Sequence, residues 1–148
     1  MSASPPPEGF ELMRIGGEFV IANGPILQRG AGDHFQLGFR VERRHTNSMG
    51  ICHGGMMATF CDMLLPVTAF MRTESLHGRF LPTVSLQIDY LAPAPLGAWV
   101  QGEAQVLRMT RTLLFMQGLV SADGQPVARV SGVFKIGAAA PARADAAG

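Results

Sequence analysis

The second half of the chain alternates. Val84, Leu86, Ile88 and Tyr90 are separated by Ser85, Gln87 and Asp89, the period-two pattern of a strand with one wet face. Residues 98–108 continue as strand, and Met109 to Arg111 form the expected hairpin. Residues 112–121 are apolar on both faces, as befits a central strand, and Val127 to Ile136 is the last strand. Asp123-Gly124 between them is the strongest hairpin signal in the chain. Upstream, residues 26–29 and 34–43 read as strands around a Gly30–Asp33 turn. A short helical turn and a strand over Glu18 to Ala22 are expected before the Asn23-Gly24-Pro25 turn.

One stretch breaks the alternation. From His53-Gly54-Gly55 the chain enters a helix-length apolar run ending near Arg72, interrupted by a single acid, Asp62. Met56, Met57, Phe60, Cys61, Met63, Leu64, Leu65, Val67 and Phe70 cover nearly every side of it, so burial on every side is expected. At roughly 15 residues it is short for a membrane span, and the acid argues further against one. One long helix followed by at least four strands predicts a single α+β domain, an antiparallel sheet wrapped around that helix.

Composition narrows the class. With 47% apolar and 16% charged residues, the 148-residue chain is long enough for one core and too short for two ordinary domains. A net charge of +1 without a basic run gives no reason to invoke nucleic acid. Residues 1–8 lack the marks of a signal peptide and read as a loose tail. The low-complexity residues 138–148 read as a second tail, leaving residues 9–137 as the domain. Cys52 and Cys61 fit reduced thiols in a cytoplasmic protein rather than a disulfide scaffold. No pattern of metal ligands surrounds them.

The helix start carries candidate chemistry. Gly54 and Gly55 offer backbone N–H groups, with no side chain in the way, at the positive end of a helix dipole. That arrangement suits a carbonyl oxygen or an anion, and equally a plain tight turn. Asp62 is a candidate base or nucleophile, or an acid bonded to a neighbouring side chain. Eight residues at about 1.5 Å each separate them by roughly 12 Å, too far for both to reach one reacting atom. Two antiparallel copies of the helix would bring Asp62 of one to the glycines of the other, so an active site here is expected between subunits.

Asn47, Gly50, His53-Gly54-Gly55 and Asp62, in the pattern N-x2-G-x2-HGG-x6-D, resemble the PaaI-type acyl-CoA thioesterases of the hotdog-fold superfamily. The resemblance runs from about Gly24 to Gly137 and includes Leu37-Gly38-Phe39-Arg40 and Tyr90-Leu91-Ala92-Pro93-Ala94. It implies a hotdog fold and hydrolysis of an acyl-CoA thioester to free acid and CoA. Gly54 and Asn47 would polarise the thioester carbonyl, and His53 would shape the turn. Asp62 from the other subunit would activate water or attack the thioester. Thr83 matches the position that helps place the water. By its parity with Ser85, Gln87 and Asp89, however, it belongs on the wet face, so it can serve only if the strand bulges there or begins after it. The resemblance also implies a homodimer, commonly paired into a homotetramer, with no metal or redox cofactor.

For substrate binding, Gly55 and Met56 adjoin the proposed carbonyl site. Arg108 and Arg111, with Arg40, Arg43 and Arg44, are candidates for the nucleotide end of CoA or solvated surface charges. Met49, Met56, Met57 and Met63 suit an adaptable acyl pocket or plain core. The alternative function is a non-catalytic acyl-CoA-binding module on the same fold.

Overall fold

A computed structural model describes residues 4–139. The strands are β1 (Glu11–Leu12), β2 (Leu27–Arg29), β3 (Gln36–Arg40), β4 (Thr83–Tyr90), β5 (Trp99–Met109), β6 (Leu113–Ala122) and β7 (Gln125–Lys135). The helices are α1 (Glu18–Asn23) and α2 (Gly54–Arg72). The strands form one antiparallel seven-stranded sheet in the order β1-β2-β3-β5-β6-β7-β4, curled around α2. This is the hotdog arrangement.

Local chemistry sets the hairpins. Asp123 and Gly124 both take positive φ (47° and 84°), the twist a two-residue hairpin requires. The Asp123 carboxylate also accepts from the Trp99 N–H at 3.0 Å, tying the β6–β7 turn to the start of β5. The β5–β6 turn is closed by the Thr110 hydroxyl, which accepts from the Leu113 N–H at 2.9 Å.

Glycines let α2 sit close on the sheet. A Cβ at Gly102 of β5 would lie 2.5 Å from Leu64 Cδ2, and one at Gly132 of β7 would lie 2.8 Å from Leu65 Cδ1. Gly118 of β6 is the third such contact, with Leu65 Cδ2 at 3.3 Å. Missing side chains on three neighbouring strands thus become the groove in which Leu64 and Leu65 are buried.

Several expectations change. The helix has 19 residues, and by length and composition it would suffice to cross a membrane. Here it is the core helix, but it is not buried on every side. Gly55, Ala58, Thr59, Asp62, Met63, Pro66 and Phe70, spaced three and four apart, form one partly open stripe. Glu18 to Ala22 is helix rather than strand. The place beside β2 is taken by β1 (Glu11 opposite Gln28, Leu12 opposite Leu27), so the Phe-Val-Ile run has no strand to pair with. It coils between Gly17 and Gly24 instead, with Phe19 and Ile21 66% and 69% exposed. The strand expected over 34–43 is shorter, flanked by 3-10 turns at Gly32–His34 and Arg43–His45. Pro5 and Glu8, placed in a loose tail by the sequence, accept hydrogen bonds from Arg40 (2.8 Å) and Arg29 (3.1 Å). At the other end Ala139 bridges to Arg79; residues 1–3 and 140–148 of the expected tails lie outside the described residues.

Val84 also departs from the pattern. Thr83 pairs with Phe134 and Ser85 with Val133, two steps on β4 against one on β7, so Val84 is an extra residue. It is 62% exposed, not inward. The bulge flips the parity, and Thr83 shares the inner face with Leu86 and Ile88.

Candidate active site

The loop before α2 is built to present an amide side chain. Gly50, at φ +74°, returns the chain so that the Asn47 N–H reaches the Ile51 carbonyl at 2.9 Å and the Gly50 N–H reaches the Asn47 carbonyl at 3.0 Å. Asn47 Oδ1 accepts from the Met49 N–H at 2.9 Å, which fixes the side chain and leaves Nδ2 as a donor.

His53 is the N-cap of α2. Its Nδ1 accepts from the Gly55 N–H at 2.8 Å, so the two glycines are not equivalent. Gly55 is satisfied by the cap, whereas the Gly54 N–H has no acceptor among the described residues. The open donors at this end of the helix are therefore the Gly54 amide and Asn47 Nδ2. The Gly54 carbonyl accepts from the Tyr90 hydroxyl at 2.6 Å. Tyr90 was not among the expected site residues. Its inward parity on β4 was legible in the sequence, but its contact with a residue 36 positions away was not. Loss of water around that hydroxyl raises its pKa, although the residue as a whole is 56% exposed. The ring is open to solvent and only its tip is turned to the helix.

Asp62 is half-buried on the open stripe of α2. Its Oδ1 accepts a 2.7 Å hydrogen bond from Thr83 Oγ1, the residue that the Val84 bulge turns inward. Grooves lie on both sides of it. One, of about 450 Å³, is lined by Phe19, Val20, Gly55, Thr59, Met63 and Leu86. The other, of about 460 Å³, is lined by Ile15, Met63, Pro66, Phe70, Phe80 and Pro82. Both are mostly apolar, with the carboxylate at their junction.

The other expected binding residues are not gathered here. Met56 and Met57 are buried in the core, Met49 is exposed, and only Met63 lines the grooves. Arg108 and Arg111 stand exposed near the β5–β6 turn, with no side-chain hydrogen bond among the described residues. Arg40 is occupied by the carbonyls of Gly97 and Pro5, and Arg44 by those of Ala22 and Gly24. Arg43 is exposed.

The cysteines are poor nucleophiles. Burial pushes the Cys52 thiol up to about 11, opposed by a backbone hydrogen bond from Met57. Cys61 is pushed up to about 12 by burial, with the charge of Asp62 adding to it. Cys52 Sγ is directed to the His53 carbonyl at 3.7 Å rather than to an imidazole nitrogen that could take its proton.

Within one chain the Gly54 amide and the acid remain eight residues apart on α2, about 12 Å. A curled sheet around a central helix, with a capped His-Gly-Gly turn at one end of the helix and an acid further along it, defines a PaaI-type hotdog-fold protein. Comparison with known proteins agrees. Residues 49–128 match the family model of the thioesterase superfamily, and the chain belongs to that superfamily. It is 37% identical over 76 residues to acyl-coenzyme A thioesterase 13 of Mus musculus, a match spanning 51% of this chain and 52% of that protein. The structure of zebra fish thioesterase superfamily member 2 is similar at TM-score 0.69 and 27% identity, covering 82% of this chain and 87% of that one. The phenylacetic acid degradation protein PaaI of Thermus thermophilus, in an N33D mutant structure, shares the fold. Its TM-score is 0.69 at 21% identity, covering 81% and 99% of the two chains.

Proposed function

We propose that this hydrolase cleaves an acyl-CoA thioester to the free acid and CoA, at a site completed by two copies of the chain. The observation that carries the reading is the separation of complementary parts. Open donors occupy the start of α2, and a carboxylate oriented by Thr83 stands further along the same helix beside apolar grooves. Among the described residues the face between them is unpartnered: β4 pairs only with β7, and the stripe of α2 that carries Asp62 is half-open. A second copy laid antiparallel along this face brings Asp62 of one subunit to Gly54 and Asn47 of the other.

In that arrangement the thioester carbonyl oxygen receives the Gly54 N–H and Asn47 Nδ2. Aligned donors of this kind contribute roughly 3 to 4 kcal/mol each to stabilising the developing oxyanion. Asp62 takes a proton from water as the water oxygen attacks the carbonyl carbon. The tetrahedral intermediate then expels the CoA thiolate, which leaves as the thiol after taking that proton. Direct attack by the carboxylate, followed by hydrolysis of the mixed anhydride, uses the same geometry. The acyl chain lies in the apolar grooves around Met63.

The test is release of free CoA thiol from short-chain, medium-chain and aromatic acyl-CoAs, with Asp62→Asn as the control. Turnover by the wild type and not by the variant, with the oligomer intact, supports the reading. Binding of acyl-CoA without any turnover replaces it with a non-catalytic acyl-CoA module. A chain that stays monomeric at micromolar concentration overturns the shared site.

A further inference from the structure

The geometry points to His45 as a positioning residue that locks α1, one wall of the groove beside Asp62, to the turn that carries the Asn47 and Gly54 donors. This inference rests on the function proposed above. Among described residues His45 and Thr68 are the buried polar side chains, and His45 is only 2% exposed. Phe39 packs edge-on against its ring, with centroids 5.5 Å apart.

Every polar group of His45 has a partner: its N–H and Nδ1 both pair with Glu42 of its own turn, and Nε2 and the carbonyl reach two other elements. Nδ1 accepts from the Glu42 N–H at 3.0 Å, so the ring proton is on Nε2. Nε2 then donates to the Asn23 carbonyl, the last residue of α1, at 2.7 Å. The His45 carbonyl accepts from the His53 N–H at 2.8 Å, immediately before the open Gly54 amide. Two residues on from His45 is Asn47. One buried residue therefore joins the end of α1, the Arg43–His45 turn and the start of α2.

α1 needs such a tie. It has six residues, Gly17 supplies no side-chain cap, and none of its residues is fully buried. A helix that short does not persist on its own. Yet Phe19 and Val20 line the groove with Thr59, Asp62 and Met63. Arg44 adds further bonds to the Ala22 and Gly24 carbonyls, but its side chain is exposed and its ion pair is with Glu42. The buried link is His45. The wall that α1 gives the groove is thus held at a fixed distance from the donor turn of the same chain. That turn serves the paired site of the dimer, so one residue steadies the acyl wall of one site and the oxyanion donors of the other.

Three full-length variants test this. His45→Gln keeps an amide nitrogen near the Nε2 position. His45→Asn keeps an acceptor near Nδ1 and is too short to reach Asn23. His45→Phe keeps the ring volume and loses both bonds. Hydrogen exchange at the amides of residues 20–24 is read together with CoA release from acetyl-CoA and decanoyl-CoA. The Asn and Phe variants are expected to speed exchange in α1 while the β5–β7 amides stay protected. They should lower kcat/KM for decanoyl-CoA by roughly tenfold or more, with a smaller loss for acetyl-CoA. Gln should restore both. Unchanged exchange in α1, or a rise shared equally by the sheet, overturns the tie. Faster α1 exchange with unchanged kinetics overturns its link to the site. If the wild type cleaves no thioester, the proposed function has failed, and the exchange readout still decides whether His45 anchors α1.

Discussion

Thr83 reaches Asp62 only because Val84 is extruded from the sheet. Without that bulge the threonine would sit on the outer face with Ser85, and the carboxylate on α2 would have no hydroxyl at 2.7 Å. The bond fixes Oδ1 and leaves Oδ2 free to take a proton. Thr83→Ala is expected to lower kcat by about tenfold, the lower end for a hydrogen bond to a charged group because the pair is partly open to water. Thr83→Ser should recover most of it. Thiol-release kinetics on both variants, with melting temperatures to separate misfolding from misplacement, check the outcome; equal rates for Ala and wild type would refute the role.

The same relationship shows what a sequence carries and what it does not. The strands from Val84 onward, the Asp123-Gly124 hairpin and the long helix were legible because period and turn chemistry are local. The place of Thr83 could be stated only conditionally, since one extra residue reverses the parity of everything before it. The Phe19-Val20-Ile21 run misled because its strand propensity is real, and β1 had already occupied the edge it would have joined. Tyr90 and His45 were invisible as site neighbours. Their partners, Gly54 and Asn23, lie 36 and 22 residues away, and no pattern in the chain marks such contacts.

The glycines under α2 give a stability prediction. Gly102→Ala places a methyl 2.5 Å from Leu64 Cδ2, with Phe60 and Val120 each at 3.3 Å closing the space into which the leucine would move. Overpacking of this sort costs about 1 to 3 kcal/mol. Urea unfolding should show a lower midpoint with little change in slope, while turnover per folded molecule stays near wild type. A midpoint equal to wild type would mean the helix can lift off the sheet cheaply.

Alkaline pH should weaken the fold through the two thiols. Both titrate higher folded than free: Cys52 at about 11 and Cys61 at about 12, against 9.0 for an unburied thiol. A raised acid pKa means that the unfolded chain gives up its protons first. The stability due to the neutral thiols is therefore complete below about pH 9 and lost as pH rises from there through the folded values. Denaturant midpoints measured from pH 7 to 10.5 should fall above pH 9, and less steeply in Cys61→Ala than in the wild type. Consistent with this, iodoacetamide at pH 8 should label the native protein slowly and the unfolded chain rapidly at both positions.

The sharpest consequence of the distance along α2 is complementation between two dead proteins. Asp62→Asn lacks the acid, and Asn47→Ala lacks one oxyanion donor. If each site takes its acid from one subunit and its donors from the other, a mixed dimer has one site with both defects and one with neither. Random re-pairing of equal amounts makes half the dimers mixed, so about one quarter of wild-type activity returns. The double variant Asp62→Asn/Asn47→Ala paired with wild type separates this from a trivial folding rescue. Its mixed dimers have one defect in each site and should stay as slow as the single variants, although every such dimer contains a wild-type chain. If instead the site were built within one subunit, the first mixture would remain inactive and the second would keep half its activity. Co-refolding at known ratios, with thiol release measured after the dimers re-form, therefore reads out which chain supplies each group.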